Sequence, residues 1–167
     1  MKLFSANIQD LQSLYVINLR KALDMEEKIT RSLPDLIDRS TDTELAAAFR
    51  THLEETRGHV MKVKSLLRQV DVNNDRETCK AIGGLSTEAT DIITDVKDTS
   101  VRDIALIGAA QQVEHHEIAV YGTLRRWAKL LGLDQDAVVL ESIEGEEINA
   151  DEILTDISER VNLVAAA

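Results

Sequence analysis

The sequence contains few of the residues that cross-link, bend or interrupt a chain. A single cysteine, Cys79, excludes an internal disulfide framework and fits a reducing compartment, so we expect a cytoplasmic protein. One proline and seven glycines among 167 residues indicate few turns and long helices. Aromatic residues make up 3% of a chain that is 44% apolar, so the core must consist mainly of Leu, Ile, Val and Ala. This composition favours packed helices over a β sandwich, and the length suits one domain.

Long hydrophobic runs and an excess of positive charge are also missing. No segment approaches the roughly 18 apolar residues that a membrane-spanning helix needs, and the N-terminus lacks an apolar run of signal-peptide length. The net charge of −11 argues against nucleic acid or an anionic membrane as the main partner. The same charge is compatible with the attraction of cations. We therefore expect neither nucleic acid nor a membrane as a partner.

Apolar residues recur at helical spacing and predict four long helices and one shorter helix. The predicted segments are about 5–38, 41–70, 86–97, 100–131 and 134–162. Thr41 and Ser100 are predicted to cap helix starts, because an acidic residue follows each of them three positions later. Gly132 is a predicted helix stop. Pro34 lies inside the first segment and is expected to kink that helix or divide it.

The lengths of the connections predict the topology. Only a few residues separate the first long helix from the second and the third from the fourth, so each pair is expected to form an antiparallel hairpin. Residues 71–99 are numerous enough to cross the length of the bundle and to carry the short helix. The prediction is an all-α, ferritin-like four-helix bundle with a long crossover, a single domain over residues 1–167. A five-helix up-and-down array is the alternative.

Acidic and histidine side chains fall on the apolar faces of these helices when residues are placed at 100° steps. An isolated buried carboxylate is costly and like charges repel, so bound cations are the simplest remedy. Carboxylate oxygens together with imidazole nitrogens suit iron or manganese. His115 points to solvent, whereas His52 lies within its apolar stripe. The candidate ligands are Glu26, Glu55, His59, Glu114, Glu117, Glu144, Glu147 and Asp151.

The positions along the helices support one common site. Di-iron bundles place a Glu on each of two helices and a Glu-x-x-His pair on each of the other two. Here the single carboxylates would be Glu26 and either Glu117 or Glu114. The pairs would be Glu55 with His59 and Glu147 with Asp151, both at i,i+4 instead of i,i+3, while Glu144 and Glu147 form an i,i+3 carboxylate pair. The alternative is that these residues form salt bridges at helix interfaces, but few basic residues share the inner faces.

Several stretches resemble a known family. They are "AFRTHLEETRGHV" (Ala48–Val60), "TCKAIGGL" (Thr78–Leu85), "VRDIALIGAAQQVEHHEIAVYGTL" (Val101–Leu124) and "ADEILTDI" (Ala150–Ile157). With these stretches the chain resembles, over nearly its whole length, the YciE/YciF family of ferritin-like stress proteins. The resemblance implies a ferritin-like bundle in the bacterial cytosol, a homodimer and a di-metal site without an established reaction.

The resemblance also bears on individual site residues. It matches Glu26, Glu55, Glu147 and Asp151 to acidic positions of the family, and it matches Glu146 to the same acidic pattern of the fourth long helix. His59 stands where relatives often carry Gln. Glu144 and Gly145 depart from the pattern that the family leads us to expect there.

Two functions follow as hypotheses. The first is a stress-associated carboxylate protein with two iron ions, or manganese and iron, that oxidises Fe(II) or reacts with O2 or peroxide. It would act as a ferroxidase or as a peroxide-reactive oxidoreductase. The second is a non-enzymatic, dimeric stress or interaction protein whose metal is structural or absent.

Overall fold

The computed structural model describes residues 8–70 and 76–165, with side chains described up to residue 162. All regular structure in this part of the chain is helical. The helices are α1 (Leu11–Arg39), α2 (Thr43–Val70), α3 (Lys80–Asp95), α4 (Thr99–Leu130) and α5 (Asp134–Ala165). No helix within these ranges is both long and apolar enough to cross a membrane.

The four long helices close into one bundle. Helix α1 packs against α2 and α4, and α5 packs against the same two helices from the opposite corner. Helix α3 lies outside this ring, against α1 and α4. The arrangement confirms the ferritin-like bundle with a helix in its crossover, and it excludes the five-helix array. The core is aliphatic with two buried tyrosines, and its fully buried side chains include Tyr15, Leu19, Met25, Leu45, Leu106, Tyr121, Leu140 and Ile143.

Two helix starts differ from the prediction. Helix α1 begins at Leu11, because the Asp10 carboxylate accepts a hydrogen bond from the Ser13 backbone at 2.7 Å and caps the helix there. The sequence predicted a start near residue 5, but residues 5–7 lie outside the described residues. Helix α3 begins at Lys80, six residues before the predicted start, although no side chain caps it. The fully buried Ile82 anchors this first turn to the bundle.

Pro34 neither divides nor ends its helix, since α1 runs without interruption from Leu11 to Arg39. A proline lacks one N–H, so the helix forgoes one bond while the flanking residues keep theirs. At the other hairpin, Gly132 adopts a φ of 73° and ends α4, as predicted. The Gly132 N–H bonds to the Lys129 carbonyl at 3.1 Å and the Leu133 N–H to the Ala128 carbonyl at 2.9 Å, which is a Schellman motif.

Both predicted N-caps are displaced to a neighbouring aspartate. Asp42 caps α2 by accepting from the Glu44 and Leu45 backbone at 3.0 Å each, and Asp98 caps α4. Thr41 has a different role, because its hydroxyl donates to buried Asp103 at 2.5 Å. Asp103 also accepts from the Thr41 N–H at 2.9 Å and the Asp42 N–H at 2.8 Å. One carboxylate on α4 therefore holds the turn between α1 and α2.

We expect Asp103→Ala to lower the free energy of unfolding by about 2 kcal/mol or more, because it leaves three donors without a charged acceptor. Asp98→Ala, which removes only an exposed cap, should cost about 1 kcal/mol. Urea unfolding of the chelator-treated variants, followed by circular dichroism, measures both. Equal losses in the two variants would contradict the role assigned to Asp103.

Candidate metal centre

Six charged or ionisable side chains from the four bundle helices meet in the interior. Each sits on the inward face of its helix, between apolar residues that pack in the core, so the burial of the neighbours carries these polar groups inside. They are Glu26 on α1, His52 and His59 on α2, Glu114 and Glu117 on α4, and Glu147 on α5, all buried. Residues from four separate helices therefore form one internal polar cluster.

The cluster divides into two groups that share one carboxylate. Glu26, His59 and Glu147 offer ligand atoms that all lie within 4.8 Å of one another. His52, Glu114, Glu117 and Glu147 form a second group by the same measure. Glu147 belongs to both groups, so its two oxygens lie where two neighbouring metal ions would share a carboxylate.

The distances around Glu147 show how the two halves are joined. His59 Nδ1 lies 2.9 Å from Glu147 Oε1 and 3.6 Å from Glu26 Oε2. His52 Nδ1 lies 3.9 Å from Glu147 Oε2, and His52 Nε2 lies 3.3 Å from Glu114 Oε1. These contacts bring imidazole nitrogens and carboxyl oxygens close without the alignment of hydrogen bonds. Both oxygens of Glu117 and of Glu147, one each of Glu26 and Glu114, both His52 nitrogens and His59 Nδ1 form no hydrogen bond in the described residues.

Groups outside the cluster fix the orientation of two of its members. His59 Nε2 lies 2.6 Å from Glu146 Oε2, and Lys62 Nζ donates to both oxygens of Glu146 at 2.8 and 3.0 Å. This contact holds the His59 ring so that Nδ1 faces the cluster, as carboxylates behind metal-bound histidines do. On the other side, the Tyr121 hydroxyl donates to Glu26 Oε1.

Burial and mutual repulsion keep protons in the metal-free cluster. Burial raises the pKa of Glu117 well above its ordinary value, and the charges of Glu147 and Glu26 raise it further. Burial also raises the pKa of Glu114, to about 8. Burial by itself would lower the pKa of each histidine, but the surrounding carboxylates raise it to about 9 in His52 and about 10 in His59. Near neutral pH both histidines are therefore cationic, and the carboxyls with the highest pKa keep their protons.

Comparison with known proteins places this chain in a family. Residues 10–167 match the family model described as "Domain of unknown function (DUF892)". The chain belongs to the DUF892 family. Protein YciF of Escherichia coli (strain K12) is 35% identical over 153 residues, which cover 91% of this chain and 92% of YciF. The resemblance to the YciE/YciF family is thereby confirmed.

Solved structures agree with this assignment. The crystal structure of the E. coli stress protein YciF superimposes with a TM-score of 0.88 at 34% identity, covering 92% of this chain and 98% of YciF. YcfI from Rhodopseudomonas palustris gives a TM-score of 0.87 at 35% identity with the same coverage of 92% and 98%. A protein from Xanthomonas campestris, 22% identical with a TM-score of 0.75, shares the fold.

Three predicted ligands of this DUF892 protein lie beside the cluster, and two of them, Glu144 and Asp151, have other partners. Glu55 is one-third exposed, and its Oε2 lies 3.8 Å from His52 Nδ1. Glu144 lies 2.6 Å from Arg125 Nε, and Asp151 accepts a hydrogen bond from Gln111 at 3.2 Å. Their roles as ligands stay predictions.

Gly122 explains the direction that Glu144 takes. A Cβ on Gly122 would lie 2.6 Å from Glu144 Oε1, so the absence of a side chain on α4 leaves room for this carboxylate. Glu144 can therefore lie against α4 at Gly122 and pair with Arg125 on the same helix.

Sequence reasoning gave too little weight to His52 in the cluster and to Tyr121 beside it. His52 joins the second group, and its place in the middle of the α2 stripe was the available signal. Tyr121 is fully buried in the core, and its hydroxyl donates a hydrogen bond to Glu26. His115 is exposed, as predicted, with 67% of its side chain accessible.

We expect the metal-free protein to lose stability as the pH rises. The pKa of Glu114 rises on folding from 4.5 to about 8 and that of His52 from 6.5 to about 9, so the folded chain holds more protons than the unfolded chain. The stabilisation from Glu114 is complete below pH 4.5 and is lost as the pH passes about 8. The contribution of His52 is complete below pH 6.5 and is lost as the pH passes about 9. Thermal melts in the presence of chelator, from pH 6 to about pH 9, measure the slope.

Glu117→Gln should make this slope shallower and raise the melting temperature at the alkaline end, because it removes one of the crowded carboxyls. Glu152→Gln on the exposed face of α5 is the matched control and should leave the slope unchanged. A slope that is the same in both variants would show that the cluster does not control the pH dependence.

Proposed function

We propose that this protein binds two redox-active metal ions, iron or manganese with iron, inside the bundle. We further propose that it uses them to oxidise Fe(II) or to react with O2 or peroxide. The observation that carries the proposal is the pair of buried ligand groups that share Glu147. The E. coli relative YciF is a stress protein, which is compatible with a reaction of this kind.

The donor atoms fit these metals. Four carboxylates with two imidazoles are the ligand types that suit iron and manganese, whereas structural zinc sites prefer cysteine and histidine. The oxygens and nitrogens without hydrogen bonds face one another, which is costly unless cations or protons lie between them. Lys62 and Arg125, the nearby cations with described contacts, pair with Glu146 and Glu144 instead. Salt bridging to lysine or arginine therefore does not account for the four buried glutamates.

The ligand residues would form two neighbouring metal positions. Glu26 and His59 would hold one ion, His52, Glu114 and Glu117 the other, and Glu147 would bridge them. When bound, the two ions supply the electrons for reduction of the oxidant. Tyr121 and Glu146 keep Glu26 and His59 in place, and the apolar core around them excludes bulk water.

Glu55 is a partly exposed carboxylate at the edge of the site. It lies on α2 between the two histidines, is one-third exposed, and has its Oε2 3.8 Å from His52 Nδ1. We propose that it turns inward when metal binds and becomes a further ligand, so that the predicted set on α2 is completed only in the loaded protein.

Metal binding must displace protons. Both histidines have raised pKa values, as do Glu114 and Glu117, and each must lose its proton to offer a lone pair to a metal. Binding should therefore tighten from acidic to mildly alkaline pH, the reverse of the trend in metal-free stability.

A non-enzymatic role as a dimeric stress protein is the second candidate. One observation favours it: the two histidines already neutralise part of the carboxylate charge without any metal. A melt that chelator leaves unchanged, together with a stable homodimer, would support this reading. In either case we place the protein in the cytoplasm, in keeping with its single, buried free thiol at Cys79.

We expect the chelator-treated protein to take up about two equivalents of Fe(II) or Mn(II) per chain under anaerobic conditions. Glu147→Gln should remove most of both equivalents because it alters the shared ligand, while His59→Ala and His52→Ala should each remove about one. Elemental analysis after desalting gives the stoichiometry, and Glu152→Gln serves as the control. Full uptake by Glu147→Gln would exclude a shared site at this residue.

We also expect Fe(II) held by the protein to be oxidised at least about tenfold faster than Fe(II) in buffer when O2 or peroxide is added. The remaining Fe(II) is measured with a ferrous-specific chelating dye, and the two oxidants are compared separately. Glu147→Gln should return the rate to that of buffer. Bound iron that oxidises no faster than free iron would favour a structural metal.

A further inference from the structure

A cavity of about 280 Å³ lies between α3 and the bundle. Most of its wall is apolar and comes from α1, α2, α3 and α4. The apolar lining consists of Ile29, Leu33, Leu36, Phe49, Ile82, Ala89, Ile93, Ala109, Ala110 and Val113. Its volume is near the lower end of the range for small-molecule sites, about 300 Å³.

The inner end of the cavity is different, because His52 and Glu114 line it there. Neither nitrogen of His52 nor Oε2 of Glu114 forms a hydrogen bond within the described residues. Both side chains are more than nine-tenths buried and belong to the candidate metal centre. An apolar chamber thus ends on unpartnered polar atoms of the site.

The other polar residues of the wall are half-buried or exposed, and the Ser32 hydroxyl donates to the Lys28 carbonyl of its own helix at 3.2 Å. The Thr90 and Thr94 hydroxyls donate to carbonyls of their own helix, at 2.8 and 2.9 Å. Arg31, Asp35 and Arg39 line the cavity as exposed residues of α1, with charges of both signs. The buried polar side chains of the wall are therefore His52 and Glu114.

We propose that this cavity binds a small organic molecule with an apolar body and one uncharged hydroxyl or hydroperoxyl end, directed at His52 and Glu114. Such an end group both donates and accepts, so it complements an imidazole and a carboxyl whichever of them carries the proton. A carboxylate end would add a further negative charge beside four buried glutamates and is disfavoured. The apolar body gains its affinity from the aliphatic wall.

Helix α3 forms the outer wall of the cavity. Ile82 is its only buried residue, and Leu85 and Ile93 are half-buried against the core. Its first turn has no side-chain cap and is followed by Gly83 and Gly84, each of which weakens a helix by about 1 kcal/mol relative to alanine. α3 contributes no member of the ligand groups, so a substitution on α3 removes none of the candidate ligands.

If the proposed function holds, the substrates are organic hydroperoxides: cleavage of the O–O bond would take two electrons from two Fe(II) ions and two protons, giving the alcohol and water and leaving two Fe(III) ions. The assignment as a substrate site rests on that function, whereas binding of the alcohol does not. The two can therefore fail separately, and one set of titrations distinguishes them.

The experiment titrates the chelator-treated full chain with 2-phenyl-2-propanol by calorimetry and by methyl NMR. We expect saturable binding, with shifts at Ile93 and Val113. The corresponding hydroperoxide should bind with similar affinity. The carboxylate of matched shape, 2-methyl-2-phenylpropanoate, should bind at least about tenfold more weakly.

Ala89→Phe fills the cavity from α3 and should weaken alcohol binding by at least about tenfold. Ala81→Phe places the same side chain on the same helix outside the cavity and is the control. Val113→Phe fills the cavity from α4 and provides the test if the α3 variant unfolds, as judged by its helical circular dichroism.

Binding that both filling variants leave intact, or equal binding of the carboxylate, would overturn the proposal. Alcohol binding without metal uptake would retain the cavity and refute the proposed function, and the reverse result would refute only the cavity.

Discussion

The repulsion among carboxylates around Glu147 is the constraint on which the rest of this structure depends. Four buried glutamates converge on a space where two histidines are the only described counter-charges in contact with them. Since a buried charge costs several kcal/mol when it is uncompensated, the bundle tolerates this arrangement only with protons or cations in the centre. When no metal is bound, protons compensate the negative charge. This is why the pKa values are raised in Glu114, Glu117, His52 and His59.

The lysine and arginine side chains near the cluster form ion pairs outside its centre. Lys62 is paired with Glu146 and Arg125 with Glu144, so each long basic side chain is bound to the carboxylate next to a ligand position. Neither Lys62 nor Arg125 reaches Glu147, whose oxygens would otherwise form an ordinary salt bridge. The same arrangement turns Glu146 into the group that orients His59. The outer ion pairs thus preserve an anionic interior and also determine its geometry.

The sequence was sufficient for the fold because connection lengths and helical period are both local properties. Two short turns and one long crossover leave few ways to arrange four helices, and the inward faces of Glu26, Glu117 and Glu147 follow from the period alone. The cluster was harder to specify, since a helical wheel gives the direction of a Cα–Cβ bond and not the path of a long side chain. Glu144 lies on the correct stripe yet turns to Arg125, because Gly122 on another helix leaves the space.

The same limit explains the start of α3 and the weight given to His52. Helix α3 has no cap to mark its first residue and depends on the burial of Ile82, which is a tertiary contact. His52 was recognisable as inward-facing, but its participation depends on Glu114 approaching from α4. In both cases the deciding contact comes from a helix distant in sequence. The four bundle helices supply every member of the ligand groups. Helix α3 of the crossover can therefore line a cavity beside the cluster without contributing a ligand to it.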